Sequence, residues 1–270
     1  MKQRVISALA AAIIVVPLFI LGGWTFNLGV VALGALAYLE ILKIKVSHNK
    51  IPNTVRIMGF LCLELIILSG FDIGFSSNGI SYLSLGTSII LMIPAIFDDK
   101  EIYTTRDSLY LTGFIVTIGT FLNLLITIRN QYNGLWLLLY LVLIAILTDT
   151  FAYIIGMLIG KHKIIPSVSP KKSVEGCIAG TIMGTIIPVV YYQTAIPSNL
   201  NIVLVIIMTL ILSILGQIGD LFFSKIKREN KIKDFSNIMP GHGGILDRLD
   251  SLTFIIIGYA VIVNLINLMI

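Results

Sequence analysis

Hydrophobic residues do not alternate along this chain. They come in solid blocks of roughly twenty, the length needed to cross a bilayer as a helix, separated by short polar stretches that carry most of the charge. Alternation at period two would instead have pointed to a transmembrane barrel. Nine spans can be drawn, about Val5 to Trp24, Leu28 to Ile44, Val55 to Phe71, Ile80 to Phe97, Leu109 to Ile128, Leu135 to Gly160, Val174 to Tyr192, Ile202 to Phe223 and Leu252 to Ile270. The second and third are short, which suits a tilted or re-entrant segment. The fold class read from the pattern is all-α: a polytopic integral membrane protein of about nine transmembrane helices.

Composition sharpens this. Of the 270 residues, 57% are hydrophobic and 12% charged, about half the charge of a soluble domain. The net charge of +5 would suit nucleic acid in a soluble protein, but here its distribution matters more than its sum. With nine spans and a cytoplasmic N-terminus, every Lys and Arg except Arg129 falls in a cytoplasmic segment. Insertion machinery retains cations on that side, so the split predicts N-terminus in, C-terminus out and no nucleic-acid partner. The opening Met1-Lys-Gln-Arg and its apolar run lack an A-x-A cleavage site, so they read as a retained first span. Cys62 and Cys177 sit in apolar runs without metal-ligand spacing and read as small buried hydrophobes.

Four acids lie in or at the ends of spans. Glu40 is near a cytoplasmic end and is expected to reach water, while the central Glu64 has no evident partner. Asp149 shares one helical stripe with Tyr153, Gly156 and Gly160, which suits the wall of a water-filled cleft; a helix–helix hydrogen bond is the alternative. Gly180 and Gly184 form a small-xxx-small pair that suits close helix packing. Asp220 closes the eighth span, with Ser224, Lys227 and Arg228 near the same face.

The longest hydrophilic passage, Ser224 to Asp250, follows. Asp220, Asp247 and Asp250 form a set of hard oxygen ligands suited to magnesium, with Asp220 brought across a hairpin of the last two spans. Cysteine is absent there and His242 is the one imidazole, which disfavours zinc. Gly243 and Gly244 precede a helix start whose free N–H groups could hold an anion, and Lys227, Arg228 and Arg248 add positive charge. Carboxylates for a metal beside cations and a helix start point to phosphoryl or nucleotidyl transfer. In the other long basic loop, Ser173 could cap the next helix, leaving Lys171 and Lys172 for phosphate.

These residues resemble the signature of the phosphatidate cytidylyltransferases. The matching positions are Ser224, Lys227, Arg228, Lys233, Asp234, Ser236, Pro240, His242, Gly243, Gly244, Asp247, Arg248 and Asp250, with Met239 as the departure. An upstream block is also similar, through Asp149, Ala152, Tyr153, Gly156, Gly160, Lys161, Ser169, Pro170, Lys172 and Glu175-Gly176. The resemblance implies a magnesium-dependent transfer of CMP from CTP to phosphatidate in the cell (inner) membrane, with the site on the cytoplasmic face and a homodimer possible. Residues 1–133 would be scaffold; residues 134–270, with loops 161–173 and 224–250, would be catalytic. On this reading Asp220, Ser224, Lys227, Asp247 and Asp250 are catalytic, with Asp220, Asp247 and Asp250 holding metal. Arg228, His242, Gly243, Gly244, Arg248, Lys172, Asp149 and Tyr153 would bind substrate. A transferase acting on another membrane lipid is the nearest rival. An ion-coupled transporter would also use intramembrane acids, but no repeated halves with paired broken helices are evident.

Overall fold

The computed structural model describes residues 13, 15–43, 51–71, 79–98, 102–198, 200–238 and 243–269. The helices are α1 (residues 15–21), α2 (Gly23–Lys43), α3 (Asn53–Leu68), α4 (Gly79–Ile96), α5 (Thr105–Arg129), α6 (Gly134–Ile159), α7 (Val174–Ala195), α8 (Ile202–Glu229) and α9 (Leu246–Met269). Among the described residues seven helices are long and apolar enough to cross a membrane, and Tyr82–Ile96 is a shorter apolar helix. Of the first expected span, residues 5–12 and 14 lie outside the described residues. The all-α membrane architecture is as the hydropathy predicts.

Two compact units are present, Met1–Asn130 with Ile232–Asp247, and Gln131–Lys231 with Arg248–Ile270. Residues 232–247, grouped by sequence with the C-terminal half, thus cluster with the N-terminal unit.

In the first unit α5 is the central helix. Leu111, Ile115, Ile118, Phe121, Leu122 and Ile126 are fully buried along it. Its start is set by a capping box between Thr104 and Asp107. Glycines let its neighbours come close: a methyl at Gly119 would press on Ile66, and one at Gly34 on Ile67 and Leu122. Asn123 donates to the Ile66 carbonyl (2.8 Å) and the Ser69 hydroxyl (2.8 Å), closing the end of α3.

The expected boundary between the first two spans shifts. The break falls at Gly22 and Gly23, both with positive φ (64° and 55°), a backbone that glycine adopts at little cost. Arg129 donates from Nε to the Phe19 carbonyl (2.9 Å) and from a terminal nitrogen to that of Ile20 (3.1 Å). The one cation that departs from the charge asymmetry therefore caps the carbonyl end of α1.

In the second unit α6 and α7 pack through small residues. Gly156 faces Ser173 and Gly176, Gly160 faces Ser173, Gly180 faces the Thr148 carbonyl and Ala152, and Gly184 faces the Thr148 and Ser213 hydroxyls. Gly156 and Gly160 thus belong to a helix seam and do not line a cleft, which corrects the expectation for that end of the Asp149 stripe. Gly180 and Gly184, the small-xxx-small pair of the sequence, serve the close packing expected of them inside the chain. Thr148 and Ser213 (2.7 Å) and Tyr140 and Thr209 (2.7 Å) pair their hydroxyls between α6 and α8. On α8, Gly216 and Gly219 admit Ile255, Phe254 and the Asp250 carbonyl of α9.

The seam is testable. Gly184→Val should destabilise the detergent-solubilised protein by roughly 1–3 kcal/mol, the usual cost of overpacking. Thr148→Ala in the same chain should recover part of that loss, with both read by thermal unfolding.

Candidate active site

Polar side chains gather where α6, α7, α8 and α9 of the second unit approach the loop 161–173. The apolar span of α8 continues without a break into its polar end, so Asp220, Ser224, Lys227 and Arg228 stand on one helix as the spacing predicts. The last helix starts at Leu246, earlier than hydropathy alone placed it, so Asp247 and Asp250 lie in its first two turns.

The loop is held at both ends. Ser173 caps α7, accepting from the Gly176 N–H (3.2 Å), as expected from sequence. The Val174 N–H donates to the His162 carbonyl (2.8 Å), and the His162 ring contacts Glu175 (2.6 Å). Arg228 donates to the Val168 carbonyl (3.3 Å), tying α8 to the loop. This frame delivers Lys172, whose ammonium meets the Asp220 carboxylate at 2.6 Å and reaches the Gln217 carbonyl at 3.3 Å.

Around that ion pair lies a cavity of about 210 Å³ lined by Asp149, Ala152, Tyr153, Ser169, Lys171, Lys172, Ser173, Cys177 and Asp220. It is smaller than the roughly 300–1,000 Å³ typical of pockets for whole drug-sized ligands, and suits a phosphate with its water. Tyr153 is exposed there, and Cys177 is half-buried at its wall, not an inert core residue like Cys62.

Three carboxylates share this region. Asp149 accepts from the Ser251 hydroxyl (3.2 Å), Asp220 accepts from Ser224 (3.4 Å), and Asp250 accepts from the Ser251 N–H (2.8 Å). Asp250 and Asp149 each lie within electrostatic reach of Asp220; Lys172 balances Asp149, and Lys227 balances Asp250. The expected approach of Asp220 to the last helix is thus found, with Asp250 as its partner. Lys227 is buried and Arg248 exposed. Among the described residues no three His, Cys, Asp or Glu side chains converge into a metal cage by themselves.

Asp247 serves a different local purpose. In the first unit its Oδ2 accepts from the Phe235 N–H (2.9 Å) and the Gly244 N–H (2.9 Å). Gly243 has φ +83°, which brings its Cα against that carboxylate. The neighbouring Ile245 and Leu246 N–H groups donate to Glu40 (2.8 and 2.9 Å). The expected free anion-binding N–H groups of residues 244–246 are therefore already occupied, because the chain supplies its own anions. His242 lies outside the described residues.

Glu40 is the residue that sequence reasoning misplaced. It does not snorkel; it is fully buried. Hydrogen bonds to a charged group contribute about 1.5–3 kcal/mol each, so its set of donors can offset much of its desolvation. The sequence pointed elsewhere, because Lys43 three residues on and the nearby helix end suited an acid that reaches water. Glu64, by contrast, has both carboxylate oxygens buried without a hydrogen bond among the described residues.

Comparison with known proteins agrees with the signature. The Cytidylyltransferase family matches residues 2–266. The phosphatidate cytidylyltransferase of Staphylococcus haemolyticus (strain JCSC1435) is 36% identical over 256 residues, covering 95% of this chain and 96% of its own. That of Bacillus subtilis (strain 168) is 33% identical over 258 residues, 94% of each chain. That of Staphylococcus saprophyticus is 35% identical over 257 residues, 95% of this chain and 96% of its own. The resemblance read from about Asp149 to Ser251 thus extends over nearly the whole length, and the chain belongs to the cytidylyltransferase family.

Proposed function

We propose that this protein transfers CMP from CTP to phosphatidate, giving CDP-diacylglycerol and pyrophosphate for phospholipid synthesis. The observation that carries this reading is Asp149, Asp220 and Lys172 at a phosphate-sized cavity, with Asp250 in electrostatic reach of Asp220, in a chain of this family. A phosphatidate oxygen attacks the α-phosphorus of CTP. A new P–O bond forms as the α–β anhydride bond breaks, and pyrophosphate leaves with that electron pair. The lipid phosphate is already anionic, so no strong general base is required. The residues of the chain have two tasks: to bring two polyanions together, and to meet the charge that develops on displacement.

Lys172, Lys227, Arg228 and Arg248 are the cations assigned to phosphate binding. Ser224 positions Asp220, and Tyr153 borders the space open to the lipid headgroup. The donor set fits magnesium, because Asp220 and Asp250 offer hard oxygens within electrostatic reach of one another, and magnesium takes most of its remaining shell from water and phosphates. When bound, the ion would neutralise phosphate charge and polarise the α-phosphorus. Asp247 joins this reading with one oxygen already engaged by two backbone donors.

The cation-rich loops support a cytoplasmic location for the site and a cell (inner) membrane location for the protein. The resemblance supports a homodimer, whose contact would lie away from Gly180 and Gly184. No nucleic-acid partner is expected.

Labelled CTP decides the reaction. Transfer of the α-phosphate label to phosphatidate is expected, whereas γ-label appearing on a lipid alcohol would indicate a lipid kinase. Asp220→Asn and Asp250→Asn should each lower kcat by on the order of a hundredfold or more while membrane insertion persists, since each removes charge from the reacting centre; near-wild-type turnover would refute the assignment. In a Cys62→Ala/Cys177→Ala background, a cysteine at Ser167 should react with an impermeant maleimide in inside-out vesicles and not in intact cells. The reverse pattern overturns the topology.

A further inference from the structure

We propose that Glu40 is a positioning residue for the transfer reaction, acting through Asp247. This rests on the reading above that Asp247 takes part in that reaction. Glu40 lies on α2, far from the signature in sequence, and none of its carboxylate is exposed. Its Oε1 accepts from the Ser236 hydroxyl (2.5 Å) and the Ile245 N–H (2.8 Å), and its Oε2 accepts from the Leu246 N–H (2.9 Å). Immediately before these, the Gly244 N–H donates to Asp247. Three consecutive N–H groups thus point at two carboxylates, one at each side of the turn.

That turn has no slack. A methyl group at Gly244 would sit 2.6 Å from Glu40 Oε1, and one at Gly243 would sit 2.9 Å from Asp247 Oδ2. Fixing Gly244 to Leu246 therefore fixes where Asp247 stands as α9 begins. Capping these N–H groups also contributes stability, so the two roles are separated by reading turnover per folded molecule. Glutamine cannot replace it without loss, because both oxygens accept, and an amide nitrogen would face an N–H. Aspartate withdraws the carboxylate by one methylene, which weakens its grip but makes room for a methyl at Gly244.

The test uses the full-length enzyme in mixed micelles with phosphatidate, CTP and magnesium, with turnover expressed per folded molecule. Glu40→Gln should lower kcat by about tenfold to a hundredfold, the scale of an ångström-level misplacement, with KM for phosphatidate changed by less than about threefold. Gly244→Ala should show the same split without altering any polar group. Combining Glu40→Asp with Gly244→Ala should lose less than the product of the two separate losses. If Glu40→Gln does not fold, Gly244→Ala and Ser236→Ala carry the test. Should Asp247→Asn abolish turnover while Gly244→Ala and every folded Glu40 variant keep wild-type kcat within about twofold, the inference is overturned. Near-wild-type turnover by Asp247→Asn itself would instead overturn the role of Asp247 and the positioning role with it.

Discussion

A helix that begins in an apolar setting presents N–H groups that no preceding turn can satisfy. At the start of α9 these groups are met by the carboxylates of Glu40 and Asp247. Much else in the first unit follows from that requirement. The turn needs glycine at 243 for its positive φ and at 244 for the closeness of Glu40. It also leaves these three backbone donors engaged by the chain's own carboxylates.

The second unit answers a different demand, which is to keep charged groups in place among lipid-facing helices. The seam of small residues between α6 and α7 brings Asp149 and the loop 161–173 to the same cavity. Lys172 can then neutralise Asp220 in the resting protein, a pairing that lowers the cost of holding a carboxylate at the head of a membrane helix. The Arg228 side chain, donating to the Val168 carbonyl, and the His162 carbonyl, accepting from the Val174 N–H, keep the loop that carries Lys172 in register.

Hydropathy made the spans legible, because a block of apolar residues has one stable form in lipid. It was blind to the start of α9, where Asp247 and Asp250 interrupt the apolar run, and to the break at Gly22 and Gly23, which is a matter of backbone angle. The nearness of Asp220 to the last helix could be read from spacing and a hairpin. The glycines at 156 and 160 could not be assigned in advance, since a smooth stripe serves a cleft and a helix contact equally well. Glu40 was hidden for a more basic reason: two of its three partners are backbone N–H groups more than two hundred residues away, which carry no side-chain signature.

That separation sets an order of assembly. Glu40 is synthesised early, yet its donors at residues 236, 245 and 246 emerge about two hundred residues later, roughly 10–40 s at ordinary rates of translation. Over that interval Gln131–Lys231, the larger part of the second unit, is made. The helix that carries Glu40 therefore waits for the end of the chain to complete its contacts, and a ribosome that stops short of residue 236 leaves that acid without the three donors the finished protein supplies.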